Sequence, residues 1–230
     1  MERVALLAHG AGSSPDVVAR LLGPCVPAGA TVLAPALRGD VESSTALLER
    51  IAAEHQVVLA GGISLGAHAL AILAASTGAP WPLVLAMPAW TGAPGPVAAA
   101  TAAAADEVAR LGRAEVLARL RADPATAEDW VLEELTAGWA AYDDDALAET
   151  LSAAASSRGP APEELGRIQG PTALVALDGD PLHPRTVAEV WDVAIPRTAL
   201  RVVGRHAPWG ERGALGSAAA DALRELSGSR

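Results

Sequence analysis

Residues 57–66 read Val-Val-Leu-Ala-Gly-Gly-Ile-Ser-Leu-Gly, and Ala67-His68-Ala69-Leu70-Ala71-Ile72-Leu73 follows at once. A short continuous apolar run that gives way to helical spacing reads as a buried strand passing into a helix. Between them, Gly62-Ile63-Ser64-Leu65-Gly66 puts a serine at a sharp strand-to-helix turn. Such a turn exposes the hydroxyl and strains its backbone, so the positions two residues to either side must lack bulk. Gly62 and Gly66 satisfy that demand, and Ser64 becomes a candidate nucleophile. The plainer reading is a glycine-rich loop whose serine caps the following helix. The choice depends on partners elsewhere in the chain.

The rest of the chain repeats the strand-then-helix rhythm. Strands are expected at Val4 to Ala8, Thr31 to Ala34, Val57 to Ala60, Pro82 to Met87, Thr172 to Leu177 and Ala199 to Val203. Ser14 with Pro15 reads as a helix start after the first strand, Ser43 or Ser44 as a cap after the second, and 216–226 as a closing amphipathic helix. Short apolar strands alternating with helices imply an α/β fold with a mostly parallel, doubly wound sheet of about six strands. The interval 91–168 breaks the rhythm. It is alanine-rich and helical, with candidates at Val97 to Leu111, Ala114 to Arg121, Ala125 to Tyr142 and Asp145 to Ala155. The expected organisation is therefore a core of residues 1–90 and 169–230, with residues 91–168 inserted after the fourth strand as a helical cap.

Composition narrows the function classes. With 51% apolar and 19% charged residues, the chain has the balance of a globular protein, and 230 residues suffice for one substantial core. No apolar run approaches the roughly 20 residues of a membrane span, and the N-terminus lacks a convincing leader pattern. A net charge of −10 argues against nucleic acid or an anionic membrane as partner. The central acidic residues, Glu128, Asp129, Glu133, Glu134 and Asp143 to Asp145, read as solvated helix faces. One cysteine, Cys25, excludes an internal disulfide and fits a reducing, cytoplasmic setting. The histidines are scattered without ligand spacing, so no metal site is expected. Gly10-Ala11-Gly12 lacks the third glycine of a dinucleotide fingerprint, and Pro15 stands in its place.

A serine hydroxyl needs a base, and the base needs an orienting acid. Of five histidines, His206 is the one in a loop at the C-terminal end of a late strand, where open α/β sheets assemble their sites, and it is the expected base. His68, one turn into the helix after Ser64, reads as a packed or helix-surface residue. The acid candidates are Asp178 and Asp180, just past the fifth strand, which gives the chain order Ser, Asp, His.

With these residues in place, the sequence resembles the α/β-hydrolase superfamily over nearly its whole length. The resemblance implies that His9-Gly10 is the H-G motif of the oxyanion loop, with Ala11 and Leu65 supplying the two backbone donors. It also favours Asp180 over Asp178, because Asp180 to Pro184 matches the acid-loop pattern D-x-x-x-P. The implied activity is cofactor-free hydrolysis of a small, mostly apolar carboxylic ester or thioester by Ser64, Asp180 and His206. C–C bond cleavage, a lyase reaction and a non-catalytic ligand receptor are the alternatives. Ile63, before the serine, makes the neighbouring cavity apolar, and Met87, Trp90, Trp130, Trp139 and Trp209 are candidates to line it, although ordinary core packing explains any one tryptophan. The expected partner is a small molecule, with neither nucleic acid nor membrane, and a homodimer is compatible with the sequence.

Overall fold

In the computed structural model, which describes residues 1–123 and 130–228, six strands form one sheet. They are β1 (Arg3–Ala8), β2 (Thr31–Leu33), β3 (Gln56–Ile63), β4 (Leu83–Ala86), β5 (Thr172–Asp178) and β6 (Thr198–Gly204). All neighbours are parallel, in the order β2-β1-β3-β4-β5-β6. β1 pairs outward with β2 and inward with β3, so the winding reverses there and the C-terminal ends of β1 and β3 diverge into a crevice. β3 runs to Ile63, further than the expected Ala60, and delivers Ser64 at that crevice.

Period-two alternation along β1 decides the layers. Val4, Leu6 and Ala8 face one side and Ala5 and Leu7 the other, all fully buried. The first side is covered by α2 (Val41–Glu54), α3 (Leu65–Thr77) and α9 (Arg185–Ala194), through Leu48, Leu70, Leu73 and Trp191. The second is covered by α1 (Pro15–Leu22) and α11 (Ala214–Gly228), through Val18, Leu22, Leu215 and Ala219. Each buried leucine contributes about 1.5–3 kcal/mol by leaving water, so one strand stabilises both layers. Ser14 caps α1, accepting a hydrogen bond from the Val17 amide, with Pro15 at the first helical position. Asp40 caps α2, accepting from the Ser43 amide at 2.7 Å, in place of the expected Ser43 or Ser44. A carboxylate at the helix N-terminus also complements the dipole.

Between β4 and β5 the chain forms α4 (Pro96–Leu111), α5 (Arg113–Ala122), α6 (Trp130–Trp139), α7 (Asp144–Ser156) and the short α8 (Pro162–Leu165). Val108, Leu117, Trp139, Leu147 and Leu151 make a buried cluster of their own there. Within the expected helix over Ala125 to Tyr142, the described residues form α6 and leave it after Trp139. Residues 124–129, including Glu128 and Asp129, lie outside the described residues. A further one-turn helix, α10 (Ala207–Gly210), follows β6. Among the described residues, no helix is long and apolar enough to cross a membrane.

Candidate active site

Ser64 caps α3 with φ 53° and ψ −116°, a conformation sparsely populated by residues with a Cβ. Its amide donates to the Ala86 carbonyl at 3.0 Å, which ties the strained residue to β4. The flanking glycines are required by contact. A Cβ on Gly62 would lie 2.4 Å from the Gly66 carbonyl carbon, and one on Gly66 would lie 2.1 Å from the Ala8 carbonyl oxygen. Only glycines allow β3 to turn into α3 this closely beside β1.

Two further loops converge on this turn. After β1, Gly10 approaches so closely that an added Cβ would sit 3.4 Å from that of Ser64. His9, buried behind it, pins the loop. Its Nδ1–H donates to the Gly10 carbonyl at 2.8 Å, and its Nε2 accepts from the Leu37 amide at 2.9 Å. Burial holds this imidazole below its ordinary pKa, so it stays neutral and both bonds persist. The amides of Ala11 and Leu65 have no acceptor among the described residues, and both residues line the cavity in front of Ser64. They are available to an oxyanion.

After β5, Asp180 and His183 share one tight turn. Asp180 Oδ1 accepts from the amides of Leu182 (2.8 Å) and His183 (3.3 Å), and Oδ2 accepts from His183 Nδ1 at 3.0 Å. His183 Nε2 faces Ser64 Oγ at 3.1 Å. Burial works to raise the Asp180 pKa, but the His183 hydrogen bond and charge and the two amides prevail and hold it below the usual carboxylate range. The ionised carboxylate keeps the ring proton on Nδ1, which leaves the Nε2 lone pair to accept the serine proton.

The structure places His183, and not the expected His206, beside Ser64. His206 is exposed, begins α10, and makes no side-chain hydrogen bond to a described residue, whereas His183 lies against Ser64. Here three residues of separation close a turn whose amides fasten the acid while its last side chain reaches the serine. Asp178 ends β5 with an exposed side chain and does not join the constellation.

No protein-family model matches the sequence, and no curated protein matches it. Solved structures do. The chain is similar to MenH from S. aureus, with a TM-score of 0.74 and 16% identity over 99% of this chain and 96% of that one. It is also similar to a thermophilic esterase from Thermogutta terrifontis (TM-score 0.71, 18% identity, 98% of this chain and 90% of that one). An enol-lactonase from Burkholderia xenovorans LB400 aligns at TM-score 0.73 and 16% identity, over 97% and 92% of the two chains. The chain has the α/β-hydrolase fold.

On this α/β-hydrolase sheet the helices inserted after β4 roof a cavity of about 340 Å³ that contains Ser64 and His183. Ile63, Met87, Trp90, Trp130 and Trp139 line it, as does Leu182 beside the base. Trp209 does not. It is 41% exposed, with the Arg212 guanidinium over its ring 5.0 Å from the centroid. His68, which also lines the cavity, has a larger part than a packed residue. Its Nε2 accepts from the Ala89 amide at 3.1 Å and so fixes the loop after β4. Complete burial, and secondarily the nearby His183, push its pKa down to about 3. Among the described residues no group of three or more His, Cys, Asp or Glu side chains is arranged to hold a metal ion.

Proposed function

We propose that the protein is a serine hydrolase that cleaves a small, mostly apolar carboxylic ester or thioester through an acyl-enzyme on Ser64. The carrying observation is the unbroken chain Ser64 Oγ, His183 Nε2, His183 Nδ1, Asp180 Oδ2, with links of 3.1 and 3.0 Å. Ser64 Oγ attacks the carbonyl carbon while its proton passes to His183 Nε2. The negative charge that develops on the carbonyl oxygen meets the amides of Ala11 and Leu65, an interaction worth about 3–4 kcal/mol per donor in comparable sites. His183 returns the proton to the departing alkoxide or thiolate. It then takes one from water, whose oxygen attacks the acyl carbon, and passes that proton to Ser64 Oγ as the ester bond breaks, releasing the carboxylic acid and the free serine. The reaction needs no cofactor. A reducing, cytoplasmic setting suits the single cysteine, Cys25, which is a buried free thiol.

A fluorophosphonate probe and p-nitrophenyl esters test the reading together. The folded protein is expected to be labelled once, at Ser64, and to turn over short-chain esters, and Ser64→Ala is expected to lose both properties. A folded protein that takes no label overturns it.

A further inference from the structure

Trp130, Glu134 and Gly138 recur every four residues along α6 and therefore share one face. The outer two dock that face. Trp130 Nε1 donates to the Arg205 carbonyl at 2.8 Å, and a Cβ on Gly138 would lie 2.8 Å from the Gly12 carbonyl oxygen. Glu134 is held between them and lines the cavity that contains Ser64 and His183. Its side chain is only 9% exposed. Oε2 accepts from Arg20 at 2.5 Å. Oε1 lies 3.8 Å from Arg212 Nε, beyond hydrogen-bond distance, and no described residue donates to it.

The surroundings give this oxygen its meaning. Neither Arg20 nor Arg212 lines the cavity, and no other arginine does among the described residues, whereas a second carboxylate, the exposed Glu107, borders it. The remaining wall is largely alanine, valine, leucine and tryptophan. A carboxylate oxygen against such an apolar wall favours a donor, because a buried acceptor left without one costs free energy, and it offers a carboxylate chain end no donor in exchange for its water.

We propose that Glu134 is a specificity-determining residue, selecting substrates whose acyl portion carries an ammonium or comparable hydrogen-bond donor and rejecting acyl chains that end in a carboxylate. The proposal rests on the serine-hydrolase reading and names the substrate class of that same site. Glu134 Oε1 accepts from the donor while Arg20 holds Oε2 in place.

Three p-nitrophenyl esters of matched length test it: the hexanoate, the 5-ammoniopentanoate and the hemiglutarate. kcat/KM for the ammonium ester is expected to exceed that for the hemiglutarate by about tenfold or more, and Glu134→Gln to narrow the ratio by about fivefold. Glu189→Gln removes a carboxylate that pairs with Arg185 within α9, outside the cavity, and it should keep the parent ratio. If Glu134→Gln does not fold, Arg20→Gln replaces it and should widen the ratio by releasing Oε2. Equal or reversed preference in the parent protein, or a ratio indifferent to these changes, overturns the proposal. Failure of the hydrolase reading looks different, with no Ser64 label and no ester turned over. Calorimetry with n-pentylammonium and hexanoate then decides. Tighter binding of the cation that is lost in Glu134→Gln upholds the role of Glu134, and equal binding removes it.

Discussion

Asp180 and His183 take their orientation from within four residues, so the chemistry should depend on His183 and be indifferent to His206. His183→Ala is expected to lower kcat on p-nitrophenyl butyrate by about 10⁴-fold or more, as removal of a triad base does elsewhere. His206→Ala, at an exposed position, should stay within about threefold of the parent, inside the ordinary scatter of surface substitutions. A stopped assay on both variants settles the assignment, and loss of activity in His206→Ala with retention in His183→Ala reverses it. Asp180→Asn should approach the His183→Ala loss, because an amide in place of the carboxylate favours the wrong tautomer. Ser64 was legible because the strand, the turn and the helix all constrain it, with glycines where a Cβ would collide with Ala8 and Gly66. The place of His183 beside Ser64 was hidden because strand-end reasoning favours distant partners. The overlooked signal was local: Asp180-Pro181-Leu182-His183 has the spacing at which an aspartate accepts from amides two and three residues on.

At the scale of elements, the sheet was readable because short apolar strands buried on both faces have few other uses. α9 was harder to see. It was not among the expected helices, although Ala188, Trp191 and Ile195 are buried at helical spacing while Val190 and Val193 are 49% and 89% exposed. The placement of α6 was hidden because it is set by tertiary contact. Gly138 lets this helix rest on the Gly12–Ser13 backbone, beside the loop whose Ala11 amide is proposed to receive the oxyanion. This gives a test with an unusual sign. Within a helix, glycine to alanine ordinarily stabilises by about 1 kcal/mol. Gly138→Ala is expected to destabilise instead, because its Cβ would meet Gly12 O at 2.8 Å and Ser13 Cα at 2.9 Å, both backbone atoms. A fall of a few degrees in melting temperature, with a loss of about tenfold in kcat/KM as the oxyanion loop shifts, is the expected result. A stabilised and fully active Gly138→Ala would mean that α6 does not support that loop.

Across the whole molecule, the buried titratable groups define the pH range in which the fold is stable. His68 is neutral in the fold, with its pKa pushed down to about 3 by burial, against about 6.5 when unfolded. Below pH 6.5 the unfolded chain therefore binds more protons than the native one, and stability falls as the pH drops toward 3. His9, also lowered by burial, adds to this loss, as does Asp180, whose carboxylate is held below its ordinary range and must be protonated in acid. Cys25 acts at the other limit. Burial raises its thiol to about 12 from 9.0, so the unfolded chain releases that proton first and stability falls as the pH rises from 9 toward 12. The native state should be most stable between about pH 6.5 and 9. At about 1.4 kcal/mol per pH unit, His68 alone removes about 2–3 kcal/mol between pH 6.5 and 4.5. Thermal melting across pH 4–11 should trace this plateau with two shoulders. His68→Gln, whose side-chain oxygen still accepts from the Ala89 amide, should flatten the acid shoulder, and Cys25→Ala should flatten the alkaline one. An acid shoulder unchanged in His68→Gln would mean that this histidine is not held neutral, and the loop it fixes beside the cavity would owe its position to other contacts.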